Sequence, residues 1–168
     1  MPYRHLTRAA LAIAVIAAAT AVAGCGGGSS TGSTSAGTGS TKAIGQAKQQ
    51  YLALSAPILA AQARFHKDYA TFGSGTTAAT LFHDLAAEQT AVATFDSRAS
   101  AAQWPASIQP LIAALIAVNK IQVSDEHAVT DARTMAQVAA ARAALQRVSP
   151  EVDAAVKRVY DALGIPYP

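Results

Sequence analysis

The chain has a single cysteine, Cys25, among its 168 residues. No intramolecular disulfide is possible, and any folded part must be held by packing. Charge is scarce too, with Asp, Glu, Lys and Arg making up 14% of the residues. Basic side chains such as Lys48, Arg64, Lys67, Arg98, Lys120, Arg133 and Arg142 are dispersed singly. Without the clustered patch that neutralises phosphates, nucleic acid is not an expected partner. No stretch alternates β-branched and polar residues for long enough to make a strand. Motifs that carry chemistry are missing as well: there is no Glu-x-x-His, no His-Glu-x-x-His and no Cys-x-x-Cys-His. Gly28-Ser29-Ser30-Thr31-Gly32 formally fits G-x-S-x-G. A nucleophile elbow, however, needs a strand before it and a helix after it, and a low-complexity tract offers neither. The expectation is a protein that is not an enzyme and uses no cofactor.

What the chain does have begins at its N-terminus. Arg4 and Arg8 form a positive n-region, and Ala9 to Ala23 is an apolar run of about fifteen residues, the length of a signal-peptide h-region. A membrane-spanning helix needs about twenty. The run ends in Val22-Ala23-Gly24-Cys25. This arrangement resembles the lipobox of bacterial lipoprotein precursors. The resemblance implies lipidation of the Cys25 thiol, cleavage between Gly24 and Cys25, and attachment to the outer face of the cell membrane through that lipid. It covers residues 1–25 and implies nothing about the activity of the rest.

Removing Arg4 and Arg8 with the signal leaves eleven basic and ten acidic side chains from the thirteen and ten of the whole chain, a net charge of +1. The basic isoelectric point therefore belongs largely to the discarded segment. Residues 25–42 read as the lipidated cysteine and a linker: from Gly26 to Thr41 the chain is Gly, Ser and Thr broken by Ala36. So little apolar surface predicts a flexible tether with a reach of roughly 20–25 Å.

From residue 43 onward the spacing is helical, and 43–168 is expected to be one domain. Ile44, Ala47, Tyr51, Leu54, Ile58, Ala61 and Phe65 recur at intervals of three and four and predict a helix over 43–71, bent at Pro57. Thr76 or Thr77 can cap a second helix over 77–102, with Leu81, Leu85, Val92, Phe95 and Ala99 on its stripe. Trp104-Pro105 makes a corner. A third helix, over 107–128, carries Ile108, Leu111, Ile112, Leu115, Ile116, Val118 and Val123, with Pro110 in its first turn. It has the most apolar stripe and should sit at the centre of the core. Thr130-Asp131 offers a cap for a fourth helix running to Leu163-Gly164, with Ser149-Pro150-Glu151 implying a kink or a break. Ile165 and Tyr167 of the tail are expected to dock on the bundle. Phe65, Phe72, Phe82, Phe95 and Trp104 should supply much of the buried area. The fold class is all-α: an up-down-up-down four-helix bundle following a cleaved signal peptide and a disordered Gly/Ser/Thr linker.

Within such a bundle His66, His83 and His127 fall toward one end, together with Asp68, Asp84, Glu88, Asp125, Glu126 and Asp131. Among the histidines only His127 has a possible ligand at a fixed helical spacing, Asp131. These histidines are expected at the surface or the core edge, with no metal site. Glu88, in the slot between Leu85 and Val92, reads either as a buried acid with a raised pKa or, the expectation here, as a carboxylate that reaches water along its stem. Asn119, between Ile116 and Val123, reads as a register or boundary residue. The functional expectation is a membrane-anchored, extracytoplasmic lipoprotein whose bundle is a non-enzymatic binding or accessory module with an envelope protein as partner. The alternative is a carrier of a small apolar ligand or a metal ion in the bundle core.

Overall fold

A computed structural model describes residues 35–72, 74–131 and 134–167. It contains four helices: α1 (Ser35–Ala70), α2 (Ala78–Ala101), α3 (Gln109–Thr130) and α4 (Met135–Leu163). There is no strand among the described residues. The helices form a ring in chain order: α3 lies along α4, α1 along α2, a shorter interface joins α2 to α3, and a slight one joins α1 to α4. The diagonal pairs do not meet at backbone level. This is the up-down-up-down bundle expected from four amphipathic segments with short connections. The expected signal peptide, Cys25 and the first part of the expected tether lie outside the described residues.

The core is concentrated at one end. Ala47 and Tyr51 of α1, Phe95 and Ala99 of α2, and Ile108, Ile112, Leu115 and Ile116 around α3 pack with Ala155, Val159, Tyr160 and Leu163 of α4. Tyr51 meets Phe95 and Tyr160 edge-on, both centroids at 5.8 Å, the geometry in which ring edge and ring face attract. The corner between α2 and α3 is fixed by Trp104, whose buried Nε1 donates to the Ala99 carbonyl at 2.7 Å. The aromatic expectation holds only in part. Phe95 and Trp104 are buried, but Phe72 and Phe82 are each 52% exposed, because both flank the α1–α2 turn, where no neighbouring helix covers them.

Helix ends follow local chemistry. Thr77 caps α2, accepting from the Thr80 amide. The cap of α4 is Thr134, not the Thr130-Asp131 pair: α3 continues through Thr130, and Thr134 forms a reciprocal capping box with Gln137. Gly164 closes α4 at φ 61, ψ 40, with the Ile165 amide donating to the Tyr160 carbonyl at 2.9 Å. That six-to-one bond turns the tail so that Ile165 is buried. Tyr167 then packs edge-on against Tyr160 and donates to Asp153.

Two prolines leave their helices continuous. Pro57 lies within α1 and Pro150 within α4, so neither a break nor a second cap follows from Ser149-Pro150. Each forfeits one backbone hydrogen bond. The carbonyls released belong to Ala53 and Gln146, both exposed, and so remain open to water. α1 also starts earlier than residue 43. Once a helix is nucleated each added residue gains a hydrogen bond, and Ser40, Thr41 and Lys42 extend it while staying exposed. No described helix is long and apolar enough to cross a membrane.

A buried polar seam as candidate functional site

From the edge of the aromatic core toward the opposite end of the bundle, the interior turns polar. Asp84, Glu88, Gln89 and Asp96 of α2 are buried, and so are Asn119 and Glu126 of α3. Helical spacing accounts for this: Asp84, Glu88, Val92, Phe95 and Ala99 continue one stripe, so the residues that enter the aromatic core at one end bring carboxylates inside at the other.

Hydrogen bonds pair these groups across the helices. Gln62 of α1 donates from Nε2 to Glu88 Oε1 at 2.9 Å. Asn119 of α3 donates from Nδ2 to Asp96 Oδ1 at 2.8 Å. Gln122 donates to Glu126 Oε1 at 2.8 Å along α3. Because α2 and α3 run antiparallel, about two turns beyond the Asp96–Asn119 pair brings Gln89 level with Glu126. Gln89 acts there to favour the charged carboxylate. The seam is nevertheless incomplete: Asp84 Oδ2, Gln89 Nε2 and Glu126 Oε2 are buried without a hydrogen-bond partner. Buried polar atoms left so are uncommon and mark places where a structure does something other than pack.

Burial governs the electrostatics. It pushes Glu126 up to about 7, Gln122 and Gln89 opposing and the nearby Glu88 adding to the rise. It raises Glu88 against the hydrogen bond from Gln62. Asp96 is raised in the same way, with Asn119 and Lys120 pulling it back. Of the three, Glu126 holds its proton into the neutral range, a property concentrated at functional sites.

Glu88 therefore departs from expectation. It is 8% exposed and bonded to Gln62, because α1 packs over it and closes the route to solvent. Asn119 is buried and bonded across to α2, and its partner Asp96 escaped notice in the sequence. The three histidines lie at this end on three different helices but do not converge. His83 and His127 are exposed and His66 is half-buried, where burial holds its imidazole below the ordinary histidine value. His83 Nδ1 stands 3.7 Å from Asp84 Oδ1. Among the described residues no group of three or more His, Cys, Asp or Glu side chains is placed to hold a metal ion. No family model, curated protein or solved structure matches the chain.

Proposed function

We propose that this chain is a lipoprotein of the cell envelope, anchored through Cys25 on the extracytoplasmic face of the membrane, whose four-helix bundle is a non-enzymatic binding or accessory module for an envelope protein. The observation that carries this reading is the order of the N-terminal segments: a positive n-region, an apolar run, Val22-Ala23-Gly24-Cys25, and then a tract of small polar residues leading into a bundle. Each segment is what lipid anchoring requires. The apolar run is short for a spanning helix, and small residues precede the thiol. The bundle supports the second half of the reading because it encloses its own core while leaving Leu52, Phe72, Phe82 and Ile121 exposed.

The test is metabolic labelling with a traceable fatty acid followed by membrane fractionation. The parent chain is expected to carry label and sediment with membranes. Cys25→Ser is expected to lose the label and either persist as uncleaved precursor or appear in the soluble fraction. Equal labelling and equal membrane association of the two would overturn the proposal.

A further inference from the structure

The fold gathers cations that the sequence scatters. Lys48 lies just before Tyr51 on α1, Arg98 just after Phe95 on α2, and Lys157 and Arg158 just before Tyr160 on α4. Those three rings touch, Tyr51 meeting both Phe95 and Tyr160 with centroids at 5.8 Å, so the four cations share one end of the bundle. Lys42, nearer the start of α1, extends the group beyond it. Lys42, Arg98, Lys157 and Arg158 are exposed and Lys48 is half-buried.

The charge balance differs between the two ends. Around the rings, residues 42–51, 95–101 and 153–163 carry five cations and three carboxylates. Around the far turns, residues 64–88 and 125–142 carry four cations and six carboxylates. The three carboxylates near the rings are moreover engaged. Asp161 pairs with Lys157 at 2.7 Å, Asp153 accepts from Tyr167, and Asp96 is buried against Asn119. Lys48 donates once, to the Gly164 carbonyl at 2.8 Å, and an ammonium has two further N–H groups to give.

We propose that the end of the bundle carrying Lys42, Lys48, Arg98 and Arg158 rests on the anionic headgroups of the membrane that holds Cys25. This rests on the lipoprotein reading above and adds a second point of attachment to it. Headgroup phosphates are acceptors that ammonium and guanidinium groups bind through charge-assisted hydrogen bonds. Each Lys or Arg close to such a surface strengthens attachment about fivefold, and the attraction fades within about 8 Å at physiological salt.

Chain length selects this end over the other. Ten residues lead from Cys25 to Ser35 and span at most about 35 Å. Lys48 stands about 20 Å of helix beyond Ser35, within that reach, whereas Ala70 stands about 50 Å beyond it. The tether is therefore long enough to lay the cationic end on the bilayer, and the turn with exposed Phe72 and Phe82 is the part farthest from the anchor along α1.

The experiment uses the processed protein, extracted from cell membranes in mild detergent and reconstituted into vesicles of phosphatidylcholine alone or mixed with phosphatidylglycerol. Lysines are acylated with a membrane-impermeant reagent and the yield at each is read by mass spectrometry. With phosphatidylglycerol, Lys42 and Lys48 are expected to react about fivefold more slowly than with phosphatidylcholine alone, high salt should restore them, and Lys67 and Lys120 should react alike throughout. Arg98→Glu combined with Arg158→Glu should remove the protection while leaving the helical circular dichroism unchanged, and Arg64→Glu should preserve it. Equal reactivity of Lys42 and Lys48 in both kinds of vesicle, or equal protection of Lys67, would overturn the inference while leaving the anchor standing. Failure of the protein to float with either vesicle would overturn the anchor and this inference with it. Protection by soluble polyphosphate, with phosphatidylglycerol having no effect, would assign the face to a soluble polyanion and refute a membrane contact.

Discussion

Replacing Asn119 by Ala removes the donor that meets the Asp96 carboxylate at 2.8 Å, and nothing else in the seam takes its place. Both residues are buried, so the loss is that of a hydrogen bond to a charged group, about 1.5–3 kcal/mol. For a bundle of this size that is a fall in melting temperature of roughly 6–10 °C near pH 7. The pH profile identifies the cause. Burial already raises Asp96, and Asn119 opposes the rise; without it the folded carboxyl binds its proton more tightly still. The deficit should therefore be largest at neutral pH and shrink toward pH 4, where a neutral carboxyl no longer needs the donor. Substituting Leu at both Asp96 and Asn119 removes the charge and the donor together, and should return stability to within about 1 kcal/mol of the parent. Thermal melts followed by circular dichroism at pH 4, 5.5 and 7 measure all three proteins. A single variant as stable as the parent, or a double variant worse than either single, would refute the reasoning.

Two further outcomes follow from the fold. Gly164→Ala should cost about 1 kcal/mol in denaturant unfolding, a conformational effect, since a Cβ there meets nothing within 4 Å while φ is 61. Phe95→Ala should cost about 3–5 kcal/mol because Phe95 is fully enclosed and meets Tyr51 edge-on, whereas Phe82→Ala should change stability by less than about 0.5 kcal/mol, its ring being half in water.

The helices were legible because spacing reports which face is covered: Ala47, Tyr51, Ala61, Ile112, Leu115, Val152, Ala155 and Val159 all lie on the expected stripes and all are buried. The stop at Gly164 was equally legible, since a helix terminus is a local event. Glu88 was misread because spacing gives the face but not the depth: only the approach of α1, with Gln62 upon it, closes the path to water. Asp96 and Glu126 carried no local signal, as each becomes interior through a partner on another helix. The histidines show the converse, since sharing an end of a bundle does not bring side chains on separate helices to one point. Thr134 was passed over for Thr130-Asp131 because two adjacent capping sequences are locally equivalent, and the Thr134–Gln137 reciprocity decides between them.

Lys48 donates to the Gly164 carbonyl at 2.8 Å, which places the early part of α1 beside the end of α4. Whatever precedes Ser35 therefore joins the bundle on the aromatic side. Ser35 and Gln62 are separated along α1 by about 40 Å of helix. A pull delivered through the N-terminus would be borne first by the tightly packed rings of Tyr51, Phe95 and Tyr160, and the buried carboxyls of Asp84, Glu88 and Glu126 would be mechanically sheltered behind them.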